Sequence, residues 1–560
     1  MKRNTLIILG LAAAVTLGSC AKKLDEYLVN PNTPSTDKAD ATLYLNAAQL
    51  GYAGFFNGAS SYGQQLTRKT HMYGPTYRNA YTPQSFDGLW SSAYTSVFKH
   101  TDALIPNAAS KGQWVNVAMA KIMRAHVMMT LVDMFGNVPA SEANLGVDNT
   151  NPAAENGKDV YAKAIALLDE AVADLAKPVT GFPGVQDMFF SASNATGVAR
   201  WRTTAKLLKL RALVNTRLVD ASVKDKINAL AADADVVGSL TTTASDFEFK
   251  YSSRLANPAS RHPSYSGNYT ANSQAGDYIN NYFMWSLIQE KGTGDANNDP
   301  RARYFLYRQR TNYALATSET YSCIAQAKPA HYPASMPYCQ TLQGYWGRDH
   351  GDNSGIPPDG NLRTTVGIYP AGGQFDASQG ISVALNVGGQ GAGIQPIWQS
   401  AFTYFILAEA ALTIGANGTP KTLLENAIRR SMAKVQGFPA SIGASTAVVA
   451  GFEMTQARID NYVTKVLARY DAATTNDERL NIIGKEYWIA LWGNGLDSYN
   501  LYRRTGKPAD MQFTIAPDPG AFARSVFYPS NYVNLNKNAT QKNDVNVQVF
   551  WDNNPAGFIK

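Results

Sequence analysis

AKIMRAHVMMTLVDMFGNVPASEA, residues Ala120 to Ala143, carries the pattern on which the fold turns. Counting from Met119, the residues Ile122, Met123, His126, Val127, Leu131 and Met134 recur at helical steps and share one face. Gly136-Asn137 stops that helix, and Pro139, which lacks a backbone N–H, confirms the stop. Working outward, Val160, Ala164, Leu167, Leu168, Ala171 and Leu175 form a second amphipathic run closed by Pro178, and a third spans Thr204 to Val219. Toward the C-terminus, helix is expected over Ile397 to Ile414. A turn follows at Gly415 to Gly418, and Pro420 opens the next helix, with Leu423, Leu424, Ala427, Ile428 and Val435 on its face. Ile459, Tyr462, Val463, Val466, Leu467 and Tyr470 mark another, and Asp477 to Trp492 the last long one. Helices paired through short turns predict a mostly α fold with stacked helix pairs, although no fixed repeat length is visible.

Residues 238–395 interrupt this pattern. Gly, Pro, Asn, Ser and Tyr are dense there, and helical period is confined to Tyr278 to Gln289 and Arg301 to Arg310. A stretch this long without regular structure is expected to be functional. Gly388 to Gly393 reads as a flexible loop before the next helix. The tail from Asp510 is expected to be irregular. Residues 41–560 therefore read as one domain: a helical scaffold at 41–237 and 396–509, with an irregular insert at 238–395.

The 560 residues are 45% hydrophobic and 17% charged, as a folded globule requires. A net charge of +7 without a Lys/Arg-rich cluster gives no reason to expect nucleic acid. Residues 1–19 have the layout of a signal peptide: Lys2 and Arg3, an apolar run from Leu6 to Leu17, then Gly18-Ser19 before Cys20. Leu17-Gly18-Ser19-Cys20 resembles the bacterial lipobox, which implies cleavage before Cys20 and lipidation of its thiol. Residues 20–40, punctuated by Pro31 and Pro34, read as a leash. No other stretch is expected to cross a bilayer. Export would let Cys323 and Cys339 pair; two buried thiols are the alternative, and neither CxxC nor HxxxH spacing suggests zinc.

No catalytic constellation, metal site or cofactor motif is found. The six histidines never pair at metal spacing, and His126 reads as a packed core residue. Asp295 to Asp299 imitates half of a calcium loop, but Pro300 and Leu306 stand where Gly and Glu are needed, so a solvated turn is expected. The aromatics of the loops are the stronger signal: Tyr73, Tyr77 and Tyr81; Tyr265 and Tyr269; and Tyr345-Trp346 ahead of Asp349, Asp352 and Asp359. Rings that carry the C–H faces of sugars, rimmed by polar groups for the hydroxyls, make an oligosaccharide site; peptides would use the same rings. The alternative is that these rings hold the loops on the scaffold. Trp90 and Trp492, in helical runs, read as structural.

Taken in order, several segments resemble the SusD/RagB family of outer-membrane lipoproteins. They are the lipobox, Leu24-Asp25-Glu26 with Asn30-Pro31-Asn32, Ala120 to Ala143, TYFILAEAAL (Thr403 to Leu412) and LLENAIRRSM (Leu423 to Met432). IIGKEYWIALWGNGLDSYNLYRRTG (Ile482 to Gly506) and FYPSNYVNLN (Phe527 to Asn536) complete the set, and Gly347 to Asn361 looks like the divergent second branch. The resemblance implies a tetratricopeptide-like helical scaffold whose irregular loops make the ligand face. It also implies a lipid-anchored protein on the cell surface that binds oligosaccharide without transforming it and delivers it to a SusC-type TonB-dependent transporter. Competing readings are oligopeptide capture, a surface glycoside hydrolase or esterase using Asp349 and Asp352, and a purely structural subunit.

Overall fold

The computed structural model describes residues 40–178, 186–190, 194–270, 277–312, 321–354, 363–444 and 451–560. The signal, Cys20 and nearly all of the leash lie outside these residues, as does Asp359.

Helix α1 (Ala41–Leu66) opens the scaffold, capped by the Asp40 carboxylate on the Thr42 N–H. Helices α2 (Lys99–Ser110), α3 (Trp114–Phe135), α4 (Gly157–Asp174) and α5 (Ala195–Asn215) follow, and α3 packs on both α2 and α4. The opening stretch of sequence therefore forms the expected helix, ended at Gly136 with φ +82°. In length and composition α3 could cross a membrane, contrary to expectation, but 89% of its apolar window is buried and it is the core helix of this half. After two short helices, α6 (Val223–Ala231) and α7 (Ala234–Leu240), the chain leaves the scaffold.

It leaves and returns through a two-stranded ribbon. Strand β1 (Phe247–Lys250) pairs antiparallel with β4 (Ile394–Trp398), Phe247 opposite Trp398 and Lys250 opposite Ile394. Ile397 and Trp398 are thus strand, not the start of a helix: the apolar run is buried on both sides, and Pro396 suits the ribbon. Between these strands lie α8 (Asn281–Ile288) and a second ribbon of β2 (Leu306–Arg308) with β3 (Thr364–Val366). The expected helix over Arg301 to Arg310 is only one turn, Ala302–Phe305, before the chain extends into β2.

Gly388 to Gly393 is not an open loop. A Cβ at Gly391 (φ +82°) would meet the Tyr265 ring at 2.8 Å, and one at Gly388 the Gly373 carbonyl oxygen at 2.0 Å, so one glycine makes room for a ring and the other for a backbone. The pseudo-calcium segment is not a solvated turn throughout either, since Asp299 is buried and clamps Arg301 at 2.6 and 2.9 Å.

The scaffold resumes with α9 (Ser400–Ile414), α10 (Pro420–Ser441), α11 (Gln456–Ala472) and α12 (Asn476–Ala490), neighbours packing as pairs. An unexpected helix, α13 (Gly495–Thr505), then lies along α1. One apolar cluster runs through both groups of helices and takes in Tyr265, Tyr269, Phe283, Phe305 and Tyr345 of the insert. Cys323 and Cys339 are joined as a disulfide and form a separate small cluster with Tyr321 and Trp346.

Candidate functional site

The candidate site is built where the chain after α1 meets the start of α8. Thr70 bridges to Ile279, and the His71 N–H donates to the Tyr278 carbonyl oxygen at 2.8 Å. This seam brings three rings together: His71 lies 4.2 Å and Tyr278 6.5 Å from Tyr73. The guanidinium of Arg348 stands 5.9 Å from the Tyr73 ring and 4.9 Å from that of Tyr278, and Arg363 stands 5.2 Å from Tyr278. Tyr73, followed by Gly74 (φ +104°) and Pro75, is 40% exposed.

Beneath the patch, His71 donates from Nε2 to the Asp352 carbonyl oxygen at 2.6 Å. Burial, and after it the Arg348 charge, push His71 down to about 3, so its ring is neutral at physiological pH. The Asp352 carboxylate accepts from the Ser354 N–H and hydroxyl at 2.9 and 2.6 Å. Asp349 accepts from the Cys339 N–H at 2.6 Å and from Gln512 Nε2 at 2.7 Å. Burial nevertheless pushes it up to about 6. The disulfide-closed loop is thereby tied, through Asp349 and Asp352, to the ground on which Tyr73 stands.

The other candidate rings are placed differently. Tyr77, Tyr265, Tyr269, Tyr345 and Trp346 are all buried and present no face to a ligand, which corrects the expectation that they form its floor. Tyr77 accepts from Arg68 Nη2 at 2.6 Å. Tyr265 and Tyr269 stack on each other at 4.6 Å, with their hydroxyls on the Val387 and Val366 carbonyls. Arg308 covers Tyr345 at 4.6 Å, and Trp346 packs on Tyr321 beside the disulfide. Tyr81 is half-buried, donating to Gln65 Oε1 at 2.5 Å. Asp349 is also fully buried, so it neither meets a ligand nor serves a glycosidase pair in this arrangement. Tyr278 and Arg348, the buried groups that back Tyr73, were not expected: Tyr278 reads as the start of a helix, and Arg348 lies in a loop noted for its aspartates. Among the described residues no group of three His, Cys, Asp or Glu is placed to hold a metal ion.

Comparison with known proteins agrees with this architecture. A family model described as starch-binding and associating with the outer membrane matches residues 32–328, more than half of the chain. A second, described as SusD and RagB outer membrane lipoprotein, matches residues 390–551. The crystal structure of a SusD homolog from Bacteroides fragilis is 18% identical, covers 92% of this chain and 99% of its own, and superimposes with a TM-score of 0.64. A SusD/RagB family protein from Bacteroides thetaiotaomicron is 17% identical over 92% of this chain and 100% of its own, at a TM-score of 0.62. A chitin-binding SusD homolog from Flavobacterium johnsoniae is 19% identical over 91% and 99%, at 0.56. Comparison with curated proteins returns no match. At such identities the solved structures speak to the fold, a mostly helical one shared over more than nine-tenths of this chain. With the family model spanning more than half of its length, the chain belongs to the SusD/RagB family of outer-membrane lipoproteins.

Proposed function

We propose that this protein is a lipid-anchored receptor at the cell surface that captures an oligosaccharide on the Tyr73 patch. It holds the glycan without transforming it and passes it to a SusC-type TonB-dependent transporter. The observation that carries the reading is the exposed Tyr73 ring, held against Tyr278 and Arg348 beside the loop that the disulfide closes. A ring held this way can carry the C–H face of a sugar, while the buried Arg348 and Tyr278 fix it from behind. The family supports the location, and the chitin-binding relative supports a glycan as ligand. Cys20, ahead of a Pro-punctuated leash, is the residue that would carry the lipid.

Calorimetric titration with chitotetraose, maltoheptaose and an unrelated tetrapeptide tests the reading. Saturable binding of at least one glycan is expected, weakened about fivefold to thirtyfold in Tyr73→Ala, as a stacking anchor of about one to two kcal/mol requires. Binding of the peptide alone, or a glycan affinity indifferent to Tyr73→Ala, would defeat it. Mass spectrometry of the mature chain locates the acyl group, which belongs on Cys20.

A further inference from the structure

Next to the patch, one residue along each chain of the seam, Thr70 and Asp277 turn into a cavity of about 160 Å3. Its base is made by Trp492, Pro370, Val366 and Gln395, and α1 supplies its rim with Asn57, Ser61 and Gln64. These three stand at successive turns of one helix face. Among the described residues their side chains make no hydrogen bond, so one hydroxyl and two amides are left to serve a ligand. The base, by contrast, is already occupied internally. Gln395 donates to the Gly493 carbonyl oxygen at 2.6 Å, and the Trp492 indole N–H to Tyr369 at 3.1 Å. His262, also in the wall, accepts from the Ser264 N–H at 3.1 Å and is neutral, burial taking it down to about 3.

The chemistry of the wall is selective. Among the described residues Asp277 is the one charged side chain in it, and no Lys or Arg lines the cavity. Arg363 stands over the Tyr278 ring, outside the wall. The cavity is small beside the roughly 300–1,000 Å3 of pockets that enclose drug-sized ligands. An apolar base, an uncommitted polar rim and a single carboxylate acceptor match one hydroxyl-rich ring without a negative charge. A uronic acid would bring its carboxylate against Asp277, and Arg363, whose charge reaches Asp277, stands outside the wall.

We propose that this cavity is a second binding site, which encloses a single uncharged sugar ring at the end of a glycan whose next residues lie on the Tyr73 patch. The proposal rests on the glycan-binding reading and adds to it that chain ends are recognised and acidic sugars refused. Three consequences follow from enclosure of one ring. A monosaccharide binds on its own, closing the cavity abolishes that binding, and a carboxylate on the ring opposes it.

Titration of the full chain with glucose, N-acetylglucosamine and glucuronate, alongside chitotetraose and maltoheptaose, tests this. At least one neutral monosaccharide is expected to bind saturably and glucuronate not to bind. Ser61→Trp, which fills the cavity from an exposed helix position, is expected to weaken the monosaccharide by tenfold or more. Leu50→Trp, equally bulky and on the same helix away from the cavity, is expected to change nothing. Should Ser61→Trp fail to fold, Gln64→Ala carries the same expectation by removing a rim amide. The proposal is overturned if no neutral monosaccharide binds while an oligosaccharide does, if Ser61→Trp binds the monosaccharide as well as the parent, or if glucuronate binds as tightly. If no glycan of any length binds the parent chain, the glycan reading itself fails.

Discussion

At the residue scale, the molecule is held by charges that water does not reach. Asp133, near the end of α3, accepts from Arg211 at 3.0 Å, Asn500 at 2.8 Å, Trp551 at 2.9 Å and the Tyr161 hydroxyl. Arg211 also donates to Asp497 at 2.5 Å, so one guanidinium joins α3, α5 and α13. Burial alone would lower Arg211, but the carboxylates of Asp497 and Asp133 outweigh it and hold the guanidinium above its usual value. Removing one partner from such a node strands the others. Arg211→Met is therefore expected to cost about 3–5 kcal/mol in urea unfolding at neutral pH. Lys209→Met, two residues back, loses only the 2.7 Å pair with the largely exposed Asp169 and should cost less than about 1 kcal/mol. Equal costs would deny the node its role. The same scale shows what sequence reading can and cannot do for the ligand rings. Tyr73 and Tyr265 are the same residue type in stretches that both hold Gly and Pro; only the tertiary path exposes one and stacks the other on Tyr269. The carboxylate of Asp133 lies in a stretch legible from its helical period, but its partners lie on other elements, Asn500 and Trp551 hundreds of residues away.

At the element scale, the strongly periodic helices were readable because their faces repeat and their ends carry Gly or Pro. Helix α1 was not, because Gly51, Gly54, Gly58 and Gly63 weaken the helical signal. The structure explains two of them: a Cβ at Gly51 would meet the Ser96 carbonyl oxygen at 2.3 Å, and one at Gly63 that of Gly495 at 2.1 Å. What lowers local helix preference is what lets neighbours approach. The loop of residues 321–354 was legible only as irregular and as carrying a cysteine pair, since its anchoring is tertiary. Asp349 is its keystone and should give it an unusual pH response. Burial raises Asp349 from 3.8 to about 6, against the hydrogen bonds from Cys339, Gln512 and Asn281, with the Asp352 charge adding to the rise. The folded chain then holds this proton more tightly than the unfolded one. Its contribution to stability is complete below about 3.8 and is lost as pH rises through about 6. Asp246, buried and likewise raised to about 6, acts in the same window, so the parent must be compared with Asp349→Asn. Between pH 4 and pH 7 the stability of Asp349→Asn relative to the parent should climb by on the order of 2–3 kcal/mol. The slope, not the offset left by the altered hydrogen bonds, is the readout; a flat difference would show that Asp349 is not the titrating group.

At the scale of the whole molecule, the chain closes on itself. Its first described helix, α1, lies against α13, near the other end, and the contact is backbone on backbone. A Cβ on Gly495 would stand 2.0 Å from the Ser60 carbonyl oxygen and 2.2 Å from the Gln64 nitrogen. Neither is the mobile end of a side chain, so only a shift of the helix makes room. Asn494 caps α13 by accepting from the Asp497 N–H at 3.0 Å, and Ser60 Oγ accepts from the Gly495 N–H at 2.8 Å, so the start of α13 is fixed from both sides. Gly495→Ala should therefore cost about 1–3 kcal/mol. If the single apolar cluster through both groups of helices makes them one cooperative unit, this loss appears equally in hydrogen exchange of α4 and of α11, though neither touches the substituted position. Slowest-exchanging amides of α11 that keep their protection while those of α4 lose it would mean that the two groups unfold separately. The candidate site then would straddle a joint rather than a rigid frame, because α1 reaches it from one side and the insert from the other.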